Sequence, residues 1–314
     1  MAKFERLRIW VGDEGVIGLI KAVFVTTIYL TPLYWPLERV LGRVRHEQLI
    51  RAPRLGYWPD IETPETFNEK LLHRKLFTED DRFVRVADKW RVREYVREKA
   101  GNEVLNEVYQ TASEPEEINF ETLPDRFVVK ANHGCGWNVF VEDQSTIDTD
   151  ALRERCREWI DLSYGRRKRE YWYAEIEPVI LIERYIDGDG QRVPRDYKFF
   201  VFDGRVEYIE VDYDRYEDHS RRFFDRNWNP QKFRLEFPMG PTIDAPPDLE
   251  TMIEVAERLG DEFEAIRVDL YNPEPGRVIF GEITVAHGSG GEKFAPIDYD
   301  RELGELWPSA SVPT

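Results

Sequence analysis

Cysteine is scarce in this chain, with only Cys135 and Cys156 in 314 residues. Two thiols without zinc-type spacing supply neither a disulfide framework nor a structural metal site, and they point to a reduced, cytoplasmic protein. Positive charge is also short. Against 61 acidic residues stand 44 basic ones, a formal charge of -17, so the chain is expected not to bind nucleic acid. Such acidity is what a salt-rich cytoplasm favours, and a halophilic source is expected. Internal repeats and low-complexity tracts are missing. So are the glycine-rich strand-to-helix fingerprint of a dinucleotide fold, the P-loop and any convincing nucleophilic triad.

Long hydrophobic runs are missing too. Ala22 to Trp35 carries no charge and follows Val16-Ile-Gly-Leu-Ile-Lys21, yet this stretch is too short to span the roughly 30 Å of a bilayer core, and Lys21 and Pro32 interrupt any longer one. Tyr34-Trp35-Pro36 does not resemble a signal-peptide cleavage site. Residues 16–36 are therefore expected to form a helix packed on the body, or one resting on the inner face of a membrane.

With 41% hydrophobic and 13% aromatic residues, the chain has enough apolar material for a sizeable core and for two or three subdomains. Thr66-Phe-Asn-Glu69 opens a capped amphipathic helix, and Val86 to Gly101 has helical spacing. Strands are expected over 105–111, 126–130, 137–141, 178–183, 196–202 and 205–211, with helices over 149–161 and 247–259. Asp203-Gly204 is a hairpin signal. The pattern predicts an antiparallel α+β body of two lobes behind a helical amino-terminal region, divided at 1–80, 81–182 and 183–314.

Two stretches carry the chemistry. Phe127-Val-Val-Lys-Ala-Asn-His-Gly-Cys-Gly-Trp-Asn138 reads as a strand delivering Lys130 into a turn whose Gly134 and Gly136 let backbone N–H groups face an anion. Cys135 reads as a small loop residue. Asp269 and Glu282 lie on strands joined by Asn272-Pro-Glu-Pro-Gly276. Two carboxylates facing each other repel unless they share a cation or a proton, which points to a divalent metal, with Thr284 as a neutral oxygen and Arg267 on the same face. Lys198, flanked by Tyr197 and Phe199, needs an anionic partner. Glu183-Arg-Tyr-Ile186, ahead of the turn-rich Asp187-Gly-Asp-Gly190, is suited to a crossing between lobes that holds an adenine ring. His287-Gly-Ser-Gly-Gly291 is expected to be flexible, able to close over a substrate or simply to connect. Gly165-Arg-Arg-Lys-Arg169 is the dense basic run, readable as a solvated face or as a site for an anionic partner.

Taken in order, Lys89 in Ala87-Asp-Lys, Lys130, the Gly134/Gly136 loop, Glu183-Arg-Tyr-Ile, Lys198, and Asp269 with Glu282-Ile-Thr284 resemble the ATP-grasp enzymes. More closely, Asp-Lys-Trp-Arg-Val-Arg-Glu-Tyr-Val, Leu-Pro-Asp-Arg-Phe-Val-Val-Lys-Ala-Asn-His-Gly-Cys-Gly, Asp225-Arg-Asn-Trp-Asn229 and Phe-Gly-Glu-Ile-Thr are similar to the TupA-like ATP-grasp family, named for a teichuronopeptide biosynthesis protein and often labelled glycosyltransferases. The likeness runs from about residue 40 to the end.

The resemblance implies an ATP-grasp fold enclosing ATP and Mg²⁺. Lys89, Lys130 and Lys198 would contact phosphates under a loop of Asn132, His133, Gly134, Cys135 and Gly136. Glu183, Tyr185, Ile186 and Asp189 would hold adenosine, Asp269, Glu282 and Thr284 the metal, and Arg267 with Lys198 the transition state. Many superfamily members carry Asn where this chain has Thr284. The implied activity is carboxylate–amine ligation through an acyl phosphate, acting on an anionic glycan or amino-acid substrate of a cell-surface polymer. A sugar-nucleotide glycosyltransferase and a catalytically silent scaffold are the alternatives.

Overall fold

The structure, a computed structural model, describes residues 2–188, 194–213 and 219–307. Along the chain come α1 (Ala2–Leu30), α2 (Tyr34–Leu41), α3 (Arg43–Leu55), α4 (Phe67–Phe77), α5 (Asp81–Ala87) and α6 (Val92–Ala100). Then follow β1 (Val108–Ala112), β2 (Phe127–Ala131), β3 (Asn138–Val141), α7 (Thr149–Asp161), β4 (Ile180–Arg184), β5 (Asp196–Phe202), β6 (Arg205–Tyr213), β7 (Ser220–Asp225) and β8 (Arg234–Leu235). The chain continues through α8 (Leu249–Gly260), β9 (Ala265–Glu274), β10 (Arg277–Thr284), β11 (Phe294–Ala295) and α9 (Asp298–Leu306). Strands pair antiparallel throughout the registers given below, as alternation with short turns demands.

Two compact units form, and neither is continuous in sequence: one holds residues up to 79, 207–244 and from 286 on, the other 80–206 and 245–285. The consecutive division expected from the sequence follows chain order, whereas the compact units do not.

The 80–206/245–285 unit has a sheet of order β1-β4-β2-β3 and the ladder β10-β9-β5. Helix α7 lays Leu152, Cys156 and Trp159, one helical face, on Phe127, Val129, Ile180 and Ile182 of the sheet. All seven residues of β5 are buried, which is why its sequence lacks the apolar–polar alternation of a half-exposed strand. After it, Asp203 and Gly204 both take positive φ, 48° and 74°, as a tight two-residue turn requires.

One expected helix is two. The stretch 86–101 breaks at Asp88, whose carboxylate accepts the N–H groups of Trp90 at 2.8 Å and Arg91 at 3.2 Å, restarting the chain as α6. A short acceptor that competes for backbone donors ends a helix and caps the next, and helical periodicity alone does not reveal it. The break places Lys89 in a turn.

In the other unit, Thr66 and Glu69 form the expected capping box: Glu69 N–H donates to Thr66 Oγ1 at 3.2 Å and Thr66 N–H to Glu69 Oε2 at 3.0 Å. Deep inside, Glu47 receives Arg51 at 2.8 Å and Lys75 at 3.1 Å, with the Lys75 and Glu47 side chains 0% and 1% exposed. Lys75 also donates to the carbonyl of Ser289 at 2.8 Å and to its hydroxyl at 3.1 Å. Buried Arg221 meets Glu210, Asp212 and Glu292 at 3.0, 2.9 and 2.8 Å, and His287 Nε2 lies 3.0 Å from Glu292. These contacts correct the expectation for His287-Gly-Ser-Gly-Gly291: it is a buried 3-10 turn pinned by Lys75 and the Glu292 cluster, not a flexible flap. Glycine content signals conformational freedom, but buried charge partners remove it.

Glu47→Gln leaves Lys75 and Arg51 buried without their shared carboxylate, and we expect it to lower unfolding free energy by about 3–5 kcal/mol, measured by denaturant unfolding at neutral pH. A loss under about 1 kcal/mol removes the pinning role assigned to this cluster.

Candidate functional site

Strands β9 and β10 pair so that Glu282 faces Asp269 and Thr284 faces Arg267, with a register shift between Phe280 and Glu282. The extra residue is Gly281, where a Cβ would stand 3.0 Å from both the Asp269 carbonyl oxygen and the Tyr271 ring. A bulge built on glycine thus brings the two carboxylates directly opposite each other. Arg267 Nε donates to Asp269 Oδ1 and Nη2 to Oδ2, both at 2.7 Å. The same Nη2 donates to Thr284 Oγ1 at 2.9 Å and lies 3.4 Å from Glu282 Oε1.

Lys198 on β5 sits opposite Asp269 and is 2% exposed. Two cations and two carboxylates therefore share one patch of the ladder. Even so, burial first, with the charge of Glu282 added, pushes the Asp269 carboxyl up to about 7, because Arg267 and Lys198 do not fully offset the loss of water. Such a pair accepts a further cation. Among the described residues no group of three or more His, Cys, Asp or Glu side chains is placed to hold a metal; the acidic groups here are Asp269 and Glu282, with the Thr284 hydroxyl beside them.

The sheet of β2 and β4 carries the other half. Lys130 donates to Glu183 Oε2 at 2.8 Å across the β2–β4 pair. Burial opposes ionisation of Glu183, but Lys130, with Arg93 and Asn106, outweighs it and holds the carboxyl below its usual range. Next to Glu183, Tyr185 is buried under Arg126, whose guanidinium lies 4.2 Å from the ring centroid, and meets Phe140 edge-on at 6.1 Å. Ile186 is half-buried beside them. Asp189 lies outside the described residues.

In the turn after β2, Asn132 is 1% exposed and its amide donates to Asp88 Oδ1 and the Glu177 carbonyl, both at 2.9 Å, while its oxygen accepts Val179 N–H at 2.8 Å. His133 is buried, with Nε2 3.0 Å from the Trp159 carbonyl, and burial pulls its pKa below the ordinary value. Both side chains are thus committed to protein partners. What they contribute is anchorage of the turn. Lys89 Nζ donates to the Gly134 carbonyl and Lys89 N–H to that of Asn132 at 3.2 Å. Gly134 leaves room for the Trp137 ring, which a Cβ would approach to 2.5 Å, and Gly136 has φ of +75°. Cys135 is exposed, and the Tyr164 hydroxyl accepts Lys168 Nζ at 2.7 Å.

Sequence reasoning missed Tyr164, Glu170 and Tyr173. Tyr173 has its hydroxyl pKa raised well above 10 by burial first, then by the charges of Glu170, Glu282 and Cys135, with Arg267 opposing. One phenol therefore stands near the glycine turn and the acidic hairpin together. An edge-to-face series joins them: His133 to Trp137 at 5.1 Å, Trp137 to Tyr164 at 5.4 Å and Tyr164 to Tyr173 at 4.8 Å. The signal was there in the aromatic residues flanking the basic run Arg166–Arg169, which the reading weighed only for its charge.

A family model described as "TupA-like ATPgrasp" matches residues 69–307. No curated protein matches the chain. Among solved structures, D-alanine--D-alanine ligase from Bacillus anthracis complexed with ATP is 16% identical, with 71% of this chain and 65% of that one covered and a TM-score of 0.41. The chain thus spans less than two thirds of that ligase's length. The ATP-grasp ligase PsnB complexed with minimal precursor, Mg and ADP gives 13% identity, coverage of 87% and 70%, and a TM-score of 0.39. D-cycloserine synthetase DcsG gives 12%, 71% and 71%, and 0.40.

The Lys130–Glu183 pair has a pH signature. Because the folded Glu183 pKa is lowered, the stability it contributes is fully present above its unfolded pKa of about 4.3 and is lost as pH falls through the folded value. Unfolding curves of the parent and Lys130→Met should differ at neutral pH and converge in acid, at the pH where Glu183 is protonated in both. A difference that stays constant down to that pH contradicts the pairing.

Proposed function

Because the chain belongs to the TupA-like ATP-grasp family, we propose that it is an ATP-dependent ligase that activates a carboxylate as an acyl phosphate and couples it to an amine. The observation that supports this most directly is the Arg267, Lys198, Asp269 and Glu282 patch, a charge-balanced site that still favours an added cation. A carboxylate oxygen of the substrate attacks the γ-phosphorus, the bond to the β–γ bridging oxygen breaks, and ADP departs with that electron pair. The amine nitrogen then attacks the acyl carbon, phosphate leaves, and the ammonium proton passes to solvent.

This chain's residues do four things in that sequence. The backbone of the Gly134–Gly136 turn and the cations Lys89 and Lys130 cradle the phosphates. Glu183, Tyr185 and Ile186 line the slot for adenosine. Lys198 offsets charge on the transferring phosphoryl group from a site that water does not reach. Arg267 stabilises the same charge once Asp269 no longer takes both of its N–H donors. Asp269 and Glu282, with Thr284 as a neutral oxygen, would hold Mg²⁺, which supplies charge neutralisation between the carboxylates and the phosphate oxygens.

For the acceptor we favour an anionic glycan or amino acid of a cell-surface polymer, on family resemblance. A glycosyltransferase using an Asp-x-Asp metal pair gains no support, since Asp187 is 72% exposed and paired with Arg126.

At a hundredfold its Kd, ATP with Mg²⁺ should stabilise the protein by about 2.7 kcal/mol, read as a rise in melting temperature. The shift should vanish in Lys130→Ala and in Glu282→Ala, and sustained ADP and phosphate release should require a carboxylate and an amine together. Retention of the shift in both variants defeats the site. Stabilisation by a sugar nucleotide instead of ATP defeats the ligase.

A further inference from the structure

From residue 16 to residue 28, helix α1 is turned inside out for a protein bathed in water. Gly15 departs from helical geometry (φ 59°, ψ -133°), and beyond it Gly18, Ala22 and Ile28 are the buried positions. Val16, Ile17, Ile20, Val23 and Phe24 are 73%, 64%, 64%, 55% and 43% exposed. A surface helix of a soluble domain presents the opposite arrangement, a narrow apolar stripe inward and polar residues outward. After a break at Thr31 to Leu33, α2 leaves at 91° and continues the display, with Leu33 59% and Val40 82% exposed. No single described helix is long and apolar enough to cross a membrane. Two elements at a right angle instead offer neighbouring exposed apolar side chains, the arrangement that marks an interaction surface.

We propose that α1 and α2 form a docking surface for a bilayer whose headgroups are anionic, with the apolar side chains sunk to the acyl boundary. Charge placement selects lipid over a second copy of this chain. Between residues 15 and 37 the lone charge is Lys21, which is paired with Glu14 at 2.7 Å. Glu14 is in turn paired with Lys293 at 2.8 Å, and the two lysines hold its carboxyl ionised below the usual range, so no carboxylate on this stretch is left facing a headgroup. Beyond it Glu38 is half-buried, while Arg39, Arg43 and Arg45 are all exposed, in a chain whose formal charge is -17. Arginines gathered beside the apolar face of an otherwise acidic protein complement anionic phospholipid and would repel nothing but their own copies. Exposed Trp35 opens α2, between the apolar helix and the arginines, at the level where tryptophan favours the headgroup boundary. The arginines can keep their guanidinium groups at the phosphates while their stems lie along Val40 and Leu41.

The test uses the full chain and sedimentation with vesicles of phosphatidylcholine mixed with phosphatidylglycerol, with pure phosphatidylcholine in parallel. The chain should sediment with the mixed vesicles and bind pure phosphatidylcholine about tenfold or more weakly, and salt should release it. The triple variant Ile17→Asn, Ile20→Asn, Val23→Asn should lose binding to both, and the pair Arg39→Gln, Arg45→Gln should lose the preference for the mixed vesicles while keeping the residual apolar binding. Since these side chains are exposed, each variant should keep the parent's unfolding midpoint and molar ellipticity, which separates a lost surface from a lost fold. Equal vesicle binding by parent and triple variant overturns the proposal. So does a dimer in vesicle-free solution that the triple variant dissociates while neither protein binds vesicles, which assigns the face to a second copy. These readouts involve no nucleotide, so they stand or fall apart from the ligase reading.

Discussion

The site depends on one guanidinium. Arg267 takes both oxygens of Asp269 and reaches Thr284 and Glu282, while Lys198 closes on the same carboxylate from the neighbouring strand. Without these cations, two carboxylates opposed across a hairpin would repel each other inside a low-dielectric ladder. With them, basic and acidic side chains stand in equal number in the patch, and burial, with the charge of Glu282 added, still raises the Asp269 pKa. The protein therefore holds its acidic hairpin ready by occupying it with its own cations, and the bulge at Gly281 fixes the register that makes the opposition face to face.

Much of this was legible. Thr66 and Glu69 sit at capping-box spacing, and the box is present. Asp203-Gly204 named a tight turn, and both residues adopt positive φ. Asp269 and Glu282 were placed on two strands joined by a turn, and they are register partners. Each of these is encoded within a few residues, where spacing and backbone preference decide the outcome.

What was not legible depends on partners distant in sequence. Asp88 caps the next helix locally, but nothing between residues 86 and 101 shows that Asn132 will also hold its carboxylate there, so a helical pattern concealed a break. Glycines in 287–291 suggested mobility because Lys75 and Glu292 were not in view as anchors. Tyr164 and Tyr173 lie beside a basic run whose charge is more conspicuous, whereas their rings continue the edge-to-face series from Trp137 of the glycine turn, and the charges of Glu170 and Glu282 act on Tyr173. The grouping of residues up to 79 with 207–244 is likewise a tertiary fact that local pattern does not contain.

The bracket between Asp88 and Asn132 carries a consequence for how such a site changes over generations. Asp88 accepts the Asn132 amide, Asn132 in turn accepts Val179 N–H, and Lys89 N–H closes back on the Asn132 carbonyl. The lysine and the turn therefore have no independent positions. Any lineage that alters the span between them must change positions 88 and 132 in step, so these two should be inherited and replaced as a pair.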